Sequence, residues 1–312
     1  MARVILRRVF IAVPVLFLVT GLAFVLVSLV PGNAANAILG QLATPEQSKE
    51  LTRLLGLDDP AYVQYWNWLK TLAHGSLGQS VIDGDEVTDI LNSRLPVTLT
   101  LVIATTLVSG LIGVAMGFYS ALRGRSGRIA DVVTYAAIAL PSFWIGLTMV
   151  ALFAVQWRLL PANGYVTFGV SPSDWAQSLV MPVAALSIGA MTGIAVQTRD
   201  STKDVLARDF VRVQLANGFS RRSIAWKHVL RNAGSAILTV IGIHFVGMLS
   251  GAVLIETVFA LPGMGQEVVT ATSNHDLPVI QGAVLYFTVL VLIVNLLVDI
   301  AYAWLDPRVR VR

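Results

Sequence analysis

Cysteine is absent from all 312 residues, which excludes disulfides, thiolate metal sites and thiol nucleophiles. Charge is scarce as well. Only 13% of residues are Asp, Glu, Lys or Arg, against 55% hydrophobic, and mean hydropathy is +0.73. A soluble core of this length needs far less apolar surface than that. The four His residues, His74, His228, His244 and His275, are scattered along the chain, and no His-Glu-x-x-His occurs, so a zinc-hydrolase constellation is missing. No Gly-x-x-x-x-Gly-Lys-[Ser/Thr] occurs either, which removes the loop that would cradle nucleotide phosphates. A net charge of +4 and a pI near 9.6 suggest nucleic acid at first sight. Neither aromatic-basic strands nor zinc spacing supports such a module, and membrane topology accounts for the excess.

What is there is a set of long oily runs. Helix of roughly 20 apolar residues crosses a bilayer core about 30 Å thick, and six stretches qualify: Val9 to Val30, Val97 to Tyr119, Val132 to Trp157, Leu179 to Gln197, Ala233 to Val258 and Val279 to Trp304. None carries Lys or Arg in its middle. Lipid offers backbone N–H and C=O groups no partner, so these runs read as helices, and a barrel would need short alternating strands instead. Arg7 and Arg8 with the small-residue stretch Ala35-Asn36-Ala37 resemble a signal peptide, but the first apolar run is longer than a signal h-region of roughly 7 to 15 residues. The expected fold is therefore an all-α integral membrane protein with six spans.

Cations set the orientation. If the N-terminus is cytoplasmic, all 22 Lys and Arg fall in cytoplasmic segments except Lys49, Arg53, Lys70, Arg94 and Arg158. The positive-inside rule then places both termini in the cytoplasm. The first extracytoplasmic loop, Pro31 to Leu95, is too long to be a connector. Thr44-Pro45-Glu46-Gln47 reads as a capping box with Pro at the first helical position, opening a helix through about Leu55. Asp59-Pro60 caps a second helix whose Tyr62, Tyr65, Trp66 and Trp68 either sit at headgroup level or pack the loop onto the helix tops. His74 to Ser80, HGSLGQS, reads as a turn.

Between the fourth and fifth spans lies the basic segment DFVRVQLANGFSRRSIAWKHVLRNA, Asp209 to Ala233. Phe210, Val213, Leu215 and Ala216 are expected to line one side of a first helix, Gly218 to end it in a left-handed conformation, and Ser220 to cap a second basic helix that ends at Leu230-Arg231-Asn232 as the chain re-enters the membrane. Such a hairpin presents a compact knob to the cytosol. The competing reading is that Arg221, Arg222, Lys227 and Arg231 only satisfy topology and touch lipid headgroups.

This segment resembles the cytoplasmic EAA loop of ABC-importer permeases, in the form found in the dipeptide, oligopeptide and nickel branch. The matching positions are Asp209, Phe210, Val211, Arg212, Ala216, Gly218 and Leu230 to Ala233. Further family-like stretches are HGSLGQS, ALPSFWIG (Ala139 to Gly146), LLPANGY (Leu159 to Tyr165), GAVLIETVFALPGMG (Gly251 to Gly265) and LDPRVR (Leu305 to Arg310). The resemblance runs essentially end to end. The chain departs from the family pattern at Gln214, Leu215 and Asn217, where a small residue and two cations are usual.

The resemblance implies a type I importer permease, the first of two homologous subunits that pair as a heterodimer. Two cytosolic ABC ATPase subunits or domains, which bind ATP and Mg, would sit below it, and an extracytoplasmic solute-binding protein above. This chain would hold no cofactor and hydrolyse no ATP. The coupling residues would be Asp209, Phe210, Arg212, Ala216, Asn217, Gly218, Phe219, Ser220, Arg221 and Arg222. Implied domains are 1–31, the first span; 32–95, an extracytoplasmic cap; and 96–312, the permease core with its coupling loop at 198–232. Peptides or similar small polar solutes are the implied substrates. A secondary, ion-coupled transporter is the rival class, and it normally shows acids inside the spans. Asp131 and Asp299 fall toward the cytoplasmic ends of their spans and Glu256 near an outer end, which leaves His244, Gln281 and Asn295 as the polar residues farther in. His244 and Gln281 are the candidate pathway-lining positions, and for His244 a hydrogen-bonded helix contact is the alternative.

Overall fold

The computed structural model describes residues 2–30, 34–39, 44–54, 56, 58–122 and 140–305. Among them the chain is helical throughout, apart from connecting turns and one isolated bridge between Gln79 and Glu86. The helices are α1 (Ala2–Ser28), α2 (Ala34–Leu39), α3 (Pro45–Leu54), α4 (Ala61–Ala73), α5 (Val87–Leu122), α6 (Ser142–Met149), α7 (Pro172–Leu206), α8 (Asp209–Ala216), α9 (Arg221–Ile224), α10 (Leu230–Phe259), α11 (Met264–Ser273) and α12 (Leu277–Leu305). Wide π-helical turns extend α6 over Val150–Gln156 and join α9 to α10 over Ala225–Val229.

Among the described residues five helices are long and apolar enough to cross a membrane: Phe10–Ser28, Val87–Leu122, Pro172–Leu206, Arg221–Phe259 and Leu277–Tyr302. They cover five of the six expected spans. Of the remaining one, residues 132–139 lie outside the described residues, as do Arg123, Arg125, Arg128, Asp131 and the terminal Asp306 to Arg312; the described remainder is the shorter apolar helix Ser142–Gln156. At 35 residues, α7 measures roughly 52 Å at 1.5 Å per residue. That exceeds the hydrocarbon thickness, so its last turns carry Arg199 and Lys203 beyond the apolar zone.

Local chemistry explains the helix ends. In α3 the capping box closes as expected: Gln47 N–H donates to Thr44 Oγ1 at 3.3 Å while Thr44 N–H donates to Gln47 Oε1 at 3.0 Å. Ser171 accepts from Asp174 N–H at the start of α7, with Pro172 at the first helical position. The expected side-chain cap at α4 does not form. Its cap position falls on Pro60, which has no acceptor side chain, and the Gln64 side-chain amide instead donates to the Asp59 carbonyl at 2.7 Å.

The chain divides into two compact units. One comprises Ala2–Thr98 and Pro262–Ile293. Its core is built from Trp68, Leu77, Val87, Leu91, Met264, Ala271, Val279, Ile280 and Ala283. Gly282 lets this core close, because a Cβ there would stand 2.6 Å from Val87 Cγ1. Two polar ties cross it. Thr98 Oγ1 accepts from Met264 N–H at 2.8 Å, and the buried Asp276 carboxylate accepts the Ser80 hydroxyl at 2.5 Å and Val81 N–H at 3.4 Å. Ser80 in turn receives Ile82 and Asp83 N–H, so the turn after HGSLGQS is pinned to the start of α12.

The other unit comprises Leu99–Leu261 and the chain from Val294 onward. Here α7 is the most enclosed of the long apolar helices. Gly113 and Gly117 of α5, four residues apart, face it so closely that a Cβ on Gly113 would stand 2.7 Å from the Met191 carbonyl, and one on Gly117 would overlap the Ala195 carbonyl. Small residues at this spacing let helix backbones approach where lipid supplies no hydrophobic drive. Gly242 of α10 admits Val298 of α12 in the same way, and Gly146 of α6 admits Phe259.

Candidate coupling loop

The basic segment begins where α7 stops at Leu206. Arg208 takes an extended conformation (φ −73°, ψ 147°) and α8 starts at Asp209. At the far end of α8 the chain reverses on three backbone bonds: Asn217 N–H to the Val213 carbonyl at 3.0 Å, Gly218 N–H to Leu215 at 3.0 Å and Phe219 N–H to Gln214 at 3.2 Å. The last two form a Schellman pair, which requires a left-handed residue between them. Gly218 supplies it at φ +81°, and a Cβ there would meet nothing within 4 Å. The glycine is thus needed for its dihedral and not for local clearance. Ser220 then accepts from Ser223 N–H at 3.3 Å and caps α9, as its type predicts; such a cap is worth about 1 kcal/mol.

Two expectations are corrected. The inward face of α8 is Val211, buried, with half-buried Phe210 and Gln214; Val213, Leu215 and Ala216 point to the exterior. Phe210, Val211 and Gln214 fall within an arc of about 100° on the helix, and Val213 and Leu215 flank that arc on opposite sides, where the core no longer covers them. The second helix also does not end at Leu230. It runs through the π segment into α10 as one apolar helix, Arg221–Phe259. Ile224 and Val229 are both buried in the same small core, with Val205, Val211, Ala233 and Ile237. Residues five apart share a face when hydrogen bonds run i to i+5, so burying both favours the wide turn.

The loop therefore folds on its own apolar base and presents its tip. Seven consecutive residues, Ala216, Asn217, Gly218, Phe219, Ser220, Arg221 and Arg222, are all exposed. The surface is mixed. Val213, Leu215 and Phe219 offer apolar contact, while Arg221 and Arg222 form no ion pair among the described residues. Asp209 and Arg212 meet at 3.6 Å, but both side chains are almost fully exposed, so this pair contributes little. Sequence reading missed the outward apolar trio because it assigned two of its members to the core.

The two candidate pathway residues belong to different units. Gln281 belongs to the first unit described above, where it is buried and donates from Nε2 to the Thr20 carbonyl of α1 at 2.9 Å; its Oε1 has no partner among the described residues. His244 belongs to the other unit and packs its ring on the backbone of α7 at Gly193. No group of three or more His, Cys, Asp or Glu able to hold a metal ion is found among the described residues.

Residues 109–311 match the family described as binding-protein-dependent transport system inner membrane component, and residues 1–102 match the N-terminal component of such systems. A probable peptide ABC transporter permease protein, y4tP of Sinorhizobium fredii, is 38% identical over 310 residues, covering 98% of each chain. The oligopeptide transport system permease protein AppB of Bacillus subtilis is 32% identical over 99% of each chain. The di/tripeptide transport system permease protein DppB of Pseudomonas aeruginosa is 33% identical over 98% of each. Among solved structures, a chain of the inward-facing MetNI methionine ABC transporter superposes with a TM-score of 0.58 at 15% identity, covering 70% of this chain and 97% of that one. That likeness concerns the fold. Relatives matched over nearly their whole length and the matching family support the importer reading over the ion-coupled alternative, and the work of ATP hydrolysis falls to separate subunits. The chain belongs to the family of inner-membrane components of binding-protein-dependent transport systems, as a multi-pass permease subunit of an ABC importer in the cell membrane.

Proposed function

We propose that this chain is the first of two homologous permeases that pair as a heterodimer and admit peptides or similarly small polar solutes. The curated relatives named for peptides, oligopeptides and di/tripeptides support the substrate class. Two ABC ATPase subunits or domains, holding ATP and Mg, work from the cytoplasmic side, and a solute-binding protein delivers cargo from the other. With both termini cytoplasmic, residues 32–95 form an extracytoplasmic cap and 96–312 the translocating core, with 198–232 as its coupling loop.

The observation that carries the coupling role is the exposed tip Ala216 to Arg222 on its buried base. Its hydrogen-bonded turn fixes the tip, so a force applied there moves the helices on both sides. Val213, Leu215 and Phe219 bury against the ATPase, and Arg221 and Arg222 meet acidic groups or carbonyl oxygens there. Coupling is tested with the assembled transporter in liposomes: solute-stimulated ATP hydrolysis should require the intact tip. The permease alone should neither hydrolyse ATP nor accumulate peptide on a proton or sodium gradient. Gradient-driven uptake by the isolated chain would overturn this reading.

A further inference from the structure

The aromatic residues of α4 divide into two sets. Tyr65 and Trp68 stack at 6.0 Å and face inward, whereas Tyr62 and Trp66, one helical turn apart, are 75% and 59% exposed. The inward set fixes how deep the helix lies. The Tyr65 hydroxyl donates to the Phe17 carbonyl of α1 at 3.1 Å and stands 2.9 Å from Thr20 Oγ1. Its ring lies beside Gly21, where an added Cβ would stand 3.6 Å from Tyr65 Cζ, and packs on Phe24 with ring centroids 5.6 Å apart.

These partners are not at the tip of α1. The apolar span of that helix is Phe10–Ser28, and Thr20 lies roughly 12 Å back from Ser28 at 1.5 Å per residue. Beyond the level of Tyr65, α1 still presents Leu22 and Leu26 at 58% and 57% exposure, with Val25 and Leu29 exposed beside them. Such a surface needs hydrocarbon around it, so hydrocarbon extends past the level at which α4 is tied on. A phenol at this depth also needs protein partners for its hydroxyl, and α1 supplies them. The charge of α4 fits the same placement: its only charged side chain, Lys70, is in the last turn, where a long stem carries the ammonium toward headgroups.

We propose that α4 is inserted in the lipid leaflet reached by the C-terminal half of α1, with its Tyr62–Trp66 face docked on lipid and not on protein or water. The leaflet is the outer one on the orientation proposed above; the insertion itself requires only that α1 spans. The long loop after the first span then has a part that re-enters the bilayer.

The lack of native cysteine makes the test direct. Nitroxide labels are placed singly through Tyr62→Cys and Trp66→Cys in the full-length chain, assembled with its transporter partners in phosphatidylethanolamine and phosphatidylglycerol liposomes. Leu18→Cys on the exposed side of α1 serves as the lipid reference and Lys49→Cys on α3 as the water reference. Collision with oxygen, which concentrates in lipid, is compared with collision with a water-soluble nickel chelate. The expected result is an oxygen-to-nickel ratio at both α4 positions several-fold above that at Lys49→Cys and close to that at Leu18→Cys. A ratio matching Lys49→Cys overturns the proposal in favour of a solvated helix. Low collision with both reagents overturns it in favour of a second permease or a solute-binding protein covering the face. Loss of ATPase coupling leaves these ratios unchanged, so the two readings fail separately.

Discussion

The imidazole of His244 occupies the space that a Cβ on Gly193 would need. This ties α10 to the enclosed helix α7 by steric fit, in a unit where Gly113, Gly117 and Gly242 close other helix pairs in the same manner. Gly193→Ala should destabilise the purified transporter by about 1 to 3 kcal/mol, the range for overpacking a filled site. Gly193→Ala combined with His244→Ala should melt higher than Gly193→Ala alone, because contacting residues are non-additive. Thermal unfolding in detergent measures both. Equal melting of the single and double variants would show that the ring is not what excludes the methyl group.

At the coupling tip, Gly218→Asn should remain close to the parent, since Asn adopts the left-handed conformation more readily than other side chains. Gly218→Val should lose about 1 to 3 kcal/mol of local turn stability, a β-branched residue being a poor occupant of positive φ. Open space around the position means that this loss comes from the dihedral alone. Copurification of the ATPase subunits and solute-stimulated hydrolysis should fall for Gly218→Val and hold for Gly218→Asn.

Reversing Arg221 and Arg222 to Glu should weaken ATPase copurification while leaving membrane insertion and melting within about 0.5 kcal/mol of the parent, as expected for exposed positions that form no ion pair among the described residues. The defect should deepen as salt is lowered, because the new repulsion is then less screened. Normal copurification at low salt would remove these cations from the docking surface.

Ser80→Ala removes the hydroxyl that serves the buried Asp276 carboxylate. Stability should drop by about 1 to 3 kcal/mol, the cost of leaving a buried acceptor short of a donor. Adding Asp276→Asn to Ser80→Ala should recover part of that loss, since a neutral amide is less costly to bury than a carboxylate. Melting temperatures of the two variants check the order.

Much of this architecture could be read from the chain. Long apolar runs marked the spans, because lipid permits few backbone solutions. Thr44, Gly218 and Ser220 act through neighbours within a few residues, so their types announced their roles. The inward face of α8 was not legible: Val213 and Leu215 are as apolar as Val211, and only the direction in which α7 and α10 bring the core decides between them. Nor could Ser80 be paired with Asp276, or Tyr65 with Phe17, since no local periodicity links residues so far apart in sequence. The π segment was equally hidden, as its composition is that of an ordinary helix.

That segment fixes an azimuth. A helix turns roughly 100° per residue, and a single wide turn accommodates one residue more than an α turn does. The five residues Ala225–Val229 therefore clock the face carrying Arg221 and Arg222 relative to the face of α10 that packs in the membrane. Tightening these residues into α geometry without deleting any would leave both faces intact in sequence, yet swing the tip about a quarter turn around the helix axis. Any receptor for the tip must be matched to that angle, which is held by backbone geometry and not by any side chain at the tip itself.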